Sequence, residues 1–203
     1  GGDAEESTLM FAKFSPANSN HVAYVREKNI YVEDLGSGQI RVLTNRESDT
    51  VINGTFDWVY EEELGLRDGY RWSPDGKAIA YWQLDEEGVP EMNMLNNVSG
   101  YYPKLITFRY PKTGETNAIG RVGVVQLEDG QTTWMKVPGD PRNHYIARMD
   151  WADNSSQLLL QQLNRLQNQN KVMLAEVRSG TVKIAFTDED QAWIEVRFGF
   201  TQW

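Results

Sequence analysis

The chain has 203 residues, 40% hydrophobic and 24% charged, which suits one good-sized globular domain with a substantial core. Its formal net charge of −9, from 29 acidic against 20 basic residues, disfavours nucleic acid and anionic membranes as partners, because both need clustered Lys and Arg. Cysteine is absent and His21 and His144 are the two histidines, so disulfides and thiolate metal sites are excluded, and neither a metal nor a cofactor is expected.

The chain opens Gly1-Gly2-Asp3-Ala4-Glu5-Glu6, without the basic and apolar regions of a signal peptide, and no apolar run is long enough to cross a bilayer. Phe14-Ser15-Pro16 then leads into the strand-like Val22-Ala23-Tyr24-Val25, a second strand at Ile30-Tyr31-Val32 and a Gly36-Ser37-Gly38 turn. Next comes Phe56-Asp57-Trp58-Val59-Tyr60-Glu61-Glu62-Glu63, three adjacent carboxylates behind an aromatic cluster. An acidic triplet is ordinarily a solvated face, but beside a rigid apolar anchor it suits a cationic ligand, above all an ammonium group. A short helical insertion is expected around residues 57–66, with Asp57 as its N-cap and Gly65 at its end.

The aromatic-turn-strand pattern returns at Trp72-Ser73-Pro74-Asp75-Gly76, which leads into Ala78-Ile79-Ala80-Tyr81-Trp82, and again at Trp151-Ala152-Asp153-Asn154. Pro fixes φ and Gly tolerates positive φ, so Ser-Pro-Asp-Gly carries its own turn chemistry. The second unit holds a long insertion containing Tyr102-Pro103-Lys104. Without it, each unit fits the ~40–50 residues of a propeller blade. Residues 157–171 (QLLLQQLNRLQNQNK) place Leu159, Leu163 and Leu166 at helical spacing. Their position in the repeat argues instead for two strands joined around Gln167-Asn168-Gln169-Asn170. The fold expected is therefore all-β, a partial β-propeller of roughly three to four blades of antiparallel strands.

Asn53-Gly54-Thr55, Asn97-Val98-Ser99 and Asn154-Ser155-Ser156 match the glycosylation tripeptide, a weak signal in a chain rich in Asn. Asp85-Glu86-Glu87 and Asp188-Glu189-Asp190 lack calcium-loop spacing and read as solvated turns.

Taken in order, the acidic octet, Trp72-Ser73-Pro74-Asp75-Gly76, Ile79-Ala80-Tyr81-Trp82-Gln83, Tyr110-Pro111-Lys112-Thr113-Gly114-Glu115-Thr116-Asn117, Leu163-Asn164-Arg165-Leu166-Gln167-Asn168 and Ala192-Trp193-Ile194-Glu195 resemble the dipeptidyl peptidase IV family of serine peptidases, within the prolyl oligopeptidase superfamily. The resemblance runs from about residue 14 to 195. It departs at Ala118, where many members have proline, and residues 196–203 find no place in it.

The resemblance implies a single truncated propeller segment over residues 1–203, whose parent pairs a propeller with a C-terminal α/β-hydrolase domain. No Gly-x-Ser-x-Gly elbow occurs in this chain, so no catalytic residue is expected in it and the segment alone should be inactive. The implied activity of the parent is removal of amino-terminal dipeptides of X-Pro or X-Ala type. By the same resemblance Glu62 and Glu63 bind the peptide α-amine, while Glu61 is structural or solvent-facing. The expected partners are peptide N-termini, the hydrolase domain of the same chain, and a second copy in a homodimer or edge-paired oligomer, because open blades expose strand edges. A periplasmic or secreted location fits better than a cytoplasmic one. The alternative is a propeller that acts as a scaffold or protein-binding module and cleaves nothing.

Overall fold

Turn residues recur every few positions, so strands stay short and most pair with a sequence neighbour. The computed structural model describes residues 9–196, and most of the unplaced C-terminal tail lies outside them. In the first sheet, β1 (Leu9–Phe14), β2 (His21–Arg26), β3 (Asn29–Asp34) and β4 (Gln39–Val42) form an antiparallel meander.

The second sheet is less simple. It begins with β5 (Val51–Asn53), breaks for the helix α1 (Trp58–Glu62), resumes as β6 (Tyr70–Trp72) and continues into β7 (Ala78–Asp85). A two-stranded arm, β8 (Glu91–Asn96) and β9 (Lys104–Arg109), then leaves the sheet, which is completed by β10 (Ile119–Gln126) and β11 (Thr132–Trp134). The third sheet repeats the meander with β12 (His144–Trp151), β13 (Gln157–Asn164), β14 (Gln169–Glu176) and β15 (Val182–Glu189). Among the described residues, three blade-like antiparallel sheets and one short helix make this a partial β-propeller.

Both β5 and β6 pair with β7, Asn53 opposite Gln83 and Tyr70 opposite Tyr81. The whole excursion between them therefore occupies one register position, that of Trp82. Its backbone closes the gap: Gly54 N donates to Trp82 O at 3.0 Å and Trp82 N donates to Gly69 O at 3.0 Å. Gly69 N also donates to Gly54 O at 2.9 Å, pinching the neck of the excursion shut. Only glycines fit there. Gly54 has φ +74, and a Cβ on Gly69 would lie 2.6 Å from the Gly54 carbonyl carbon.

Two apolar clusters sit between the sheets. Ala23, Val25, Ile30, Tyr70, Ile79, Tyr81 and Val125 join the first sheet to the second. Trp82, Leu84, Val122, Ile146, Leu158, Leu160 and Met173 join the second to the third. Each fully buried aliphatic side chain contributes about 1.5–3 kcal/mol, so these interfaces dominate stability. Strand β13 settles the ambiguity of its leucine spacing, since every residue from Leu158 to Leu163 is buried. A strand buried on both faces reads as a continuous apolar run and mimics helical periodicity. The turn into β14 falls at residues 165–168, about two positions earlier than the sequence suggested.

The two repeated tryptophans share one job. Trp72 Nε1 donates to Lys13 O at 3.1 Å, and Trp151 Nε1 donates to Arg71 O at 3.2 Å. In each case the indole reaches the residue just before the corresponding aromatic of the preceding sheet. Phe14, in the first sheet, has no N–H to offer and is 64% exposed, against 9% for Trp72 and 8% for Trp151.

The glycine neck yields a direct test. Gly69→Ala should destabilise the chain by about 1–3 kcal/mol, because backbone atoms cannot retreat as a flexible side chain would. Gly100→Ala, where nothing lies within 4 Å, should stay within about 0.5 kcal/mol of the parent. Urea unfolding of the two variants side by side checks this.

Candidate functional site

The acidic octet lies at the tip of the excursion from the second sheet. Asp57 is the N-cap, its carboxylate accepting from Tyr60 N at 2.9 Å. The underside of α1 is apolar and buried. Phe56 stacks on Tyr60 with centroids 5.5 Å apart and meets Trp82 edge-on at 5.2 Å. Tyr60 Oη accepts a hydrogen bond from Ile146 N at 3.1 Å, which fastens the helix to β12 of the third sheet. A side chain at Gly120 would block this, since its Cβ would lie 2.6 Å from Tyr60 Oη. Trp58 packs on Tyr110 with centroids 4.3 Å apart, so it joins the helix to the segment following the arm.

All three glutamates are exposed. Glu62 is the last helical residue and Glu63 the C-cap, and the chain reverses at Gly65, with φ +64, where Leu66 N donates to Tyr60 O at 3.0 Å. Glu62 and Glu63 line a cleft of about 760 Å³ together with Arg148, Leu163, Gln167, Trp193 and Glu195. Glu63 also lines a second cleft of about 610 Å³, walled by Trp58, Tyr110, Tyr145 and Arg165. Glu61 lines neither. Arg67 and Arg71 do not line them either, and Arg71 bonds to Asp68 and to Tyr70 O.

Sequence reading missed the residues that arrive from the third sheet. Arg148 is 9% exposed in the middle of an apolar strand, and burial lowers the pKa of its guanidinium. A buried charge in such a strand is costly unless it has partners, and that was the available signal. His144 begins the same strand and is also buried. Its Nε2 lies 3.3 Å from Gly120 O and its Nδ1 2.8 Å from Gln162 Nε2, and burial lowers its pKa, which favours the neutral ring. Asn53 of the first glycosylation tripeptide is fully buried and hydrogen-bonded to Asn29 and Gln83, so that position is closed to modification.

Asp57 is the strongly perturbed carboxyl at this site. Burial pushes its pKa up to about 6, helped by the nearby Glu86 and opposed by the Tyr60 N–H bond. Glu86 is itself raised by burial, against the attraction of Lys28 and Arg109.

A family model described as the dipeptidyl peptidase IV (DPP IV) N-terminal region matches residues 3–203. Among solved structures, the chain is similar to Porphyromonas gingivalis dipeptidyl peptidase 4, with TM-score 0.84 and 32% identity over 94% of this chain and 27% of that one. Among curated proteins, dipeptidyl peptidase 4 of Trichophyton rubrum is 30% identical over 196 residues, 92% of this chain and 25% of the relative. The inactive dipeptidyl peptidase 10 of Rattus norvegicus is 30% identical over 197 residues, 95% of this chain and 24% of the relative. The chain thus spans about a quarter of the length of the curated relatives it matches.

The buried cap gives a pH signature. A carboxyl whose pKa is raised from 3.8 to about 6 in the folded state holds its proton more tightly there. Its contribution to stability is therefore lost as pH rises from about 4 to above 6, by on the order of 3 kcal/mol. Asp57→Asn keeps a side-chain oxygen for Tyr60 N and removes the titration. Denaturant unfolding at pH 4 and pH 7 should show the stability of Asp57→Asn rising relative to the parent by about that amount. A pH-independent difference would contradict the assignment.

Proposed function

Because this chain belongs to the dipeptidyl peptidase IV family, as its N-terminal region, we propose that it is the substrate-recognition propeller segment of a serine peptidase that removes amino-terminal dipeptides of X-Pro or X-Ala type. In this reading Glu62 and Glu63 grip the α-amine of the peptide. The triad belongs to an α/β-hydrolase domain outside these 203 residues, so the segment by itself is inactive. The observation that carries the reading is positional: Glu62 and Glu63 line one cleft at the end of a pinned helix, and the adjacent Glu61 does not.

The chemistry supports the pairing. A free α-amine has an unperturbed pKa of about 7.7–8.0 and is largely protonated near neutrality. One carboxylate about 4 Å away attracts it by roughly 4 kcal/mol at an effective dielectric of ~20, before desolvation. Two carboxylates share the three N–H donors of the ammonium, whereas an internal peptide segment offers no charge and leaves them repelling each other. An anchor at a fixed distance from the nucleophile then measures off two residues, and such positioning supplies a large part of a rate enhancement.

One finding favours a second reading. A relative of equal similarity carries the name inactive dipeptidyl peptidase 10, so this region also occurs in a protein named as inactive. The alternative is a propeller that binds a partner and cleaves nothing. In either case strand β15 is exposed from Lys183 to Glu189 and lies at the end of its sheet, which offers an edge for pairing, and we propose a homodimer or edge-paired oligomer. Light scattering across a concentration series should show association, and a monomer throughout would contradict it.

The two functional readings part on activity. The full-length protein should cleave an amino-terminal X-Pro chromogenic substrate. Glu62→Gln and Glu63→Gln should each lower kcat/KM by an amount worth roughly 2–5 kcal/mol. Activity unchanged in both variants would reduce the pair to a solvated helix end, and no activity in the parent protein would favour the binding module.

A further inference from the structure

The pairing of β12 with β13 slips between Ile146 and Arg148. Such an irregularity re-aims side chains and frees backbone groups, and bulges are common beside functional sites. Here the backbone groups of Ile146 reach the second sheet, one at the excursion that carries the glutamates and one at β7. Ile146 N donates to Tyr60 Oη at 3.1 Å, and Ile146 O accepts from Trp82 Nε1 at 2.8 Å. Two residues on, Arg148 Nη1 donates to Leu64 O at 3.0 Å and to Ala147 O at 2.5 Å. Arg148 Nη2 reaches Val196 O at 3.5 Å.

Leu64 directly follows the glutamate pair, and Val196 follows Trp193, Ile194 and Glu195, which line the same cleft. The guanidinium thus bonds both segments, and its planar fork of donors sets their relative placement.

We propose that Arg148 is a positioning residue for the amine anchor: by holding the Leu64 carbonyl and bridging to Val196, it fixes the turn on which Glu62 and Glu63 stand. It does not touch the substrate. Without it α1 keeps its N-cap and its Tyr60 anchor, but the turn after the helix loses its tie to the third sheet. The proposal rests on the reading of Glu62 and Glu63 as the amine-binding pair.

The test measures the preference of the full-length protein for a free α-amine. It is the ratio of kcat/KM for an X-Pro chromogenic substrate to that for the same compound lacking the amine. A general loss of folding lowers both values together and leaves the ratio alone. Loss of a hydrogen bond to a charged group corresponds to roughly a tenfold to hundredfold effect. Arg148→Met should therefore lower the ratio by about tenfold or more, through a raised KM for the amine substrate, while the amine-free compound is turned over as before. Arg148→Lys has one ammonium in place of a fork and should restore part of the preference.

An unchanged ratio in Arg148→Met, with Glu62→Gln and Glu63→Gln still reducing it, overturns the positioning role and leaves the amine anchor intact. An unchanged ratio in the glutamine variants, or no preference in the parent protein, overturns both. If Arg148→Met fails to fold, Arg148→Lys decides: a partial loss of the ratio supports the role, and a ratio equal to the parent's overturns it.

Discussion

Trp82 is where the structure is tied together. Its backbone N–H and C=O hold the two ends of the excursion at Gly69 and Gly54, each at 3.0 Å. Its ring, fully buried, meets Phe56 at the base of the helix, and its indole N–H crosses to Ile146 O in the third sheet at 2.8 Å. A buried indole must find an acceptor, and an apolar replacement of similar shape would leave the Ile146 carbonyl short of one partner. One residue therefore joins its own sheet, the inserted helix and the neighbouring sheet. The glutamates stand on an excursion, yet they stand on something rigid.

The remaining sheet contacts are repetitive, and for that reason they were legible. Phe14, Trp72 and Trp151 each stand before a tight turn and a strand, so the repeat can be read from short local strings. Pairing between neighbouring strands then follows from sequence order. Strand β13 shows how the same logic can mislead, because Leu159, Leu163 and Leu166 satisfy a helical template by coincidence. Burial on both faces forces apolar residues into consecutive positions, and period counting loses its power there. Only the place of the segment in the repeat separated the two choices.

At the site, legibility follows range. Capping is local chemistry, so Asp57 as N-cap could be read from adjacent residues. The helix, however, stops at Glu62 with Glu63 as its C-cap, short of the expected end at Gly65, which instead takes the positive φ of the chain reversal. Arg148, Trp193 and Ile194 come from distant positions and meet the glutamates only through sheet packing. Nothing in a strand such as His144–Trp151 announces that a register slip will turn its arginine toward a helix more than eighty positions earlier, where it bonds Leu64. A buried charge in an apolar strand signals a partner without naming it.

Glu62 and Glu63 also sit where a helix least welcomes them. Carbonyls at a C-terminus already carry partial negative charge, cations are favoured there, and the last turn of α1 holds no basic residue. Five residues make a weak dipole, so mutual repulsion of adjacent carboxylates is the larger cost. Exposure to water keeps that cost tolerable, because exposed charges are well screened. The arrangement thus opposes two demands: the adjacent carboxylates need solvent to screen their repulsion, and the amine-binding role proposed for them needs them held still. A helix with a buried underside and an exposed end meets both, since Val59 and Tyr60 fix the backbone while Glu62 and Glu63 stay wet. Local choices that conflict with helix stability without helping the fold are the ones to expect at functional positions. An ammonium group entering the cleft would relieve the conflict, adding the missing cation at the helix end and separating two like charges in a single step.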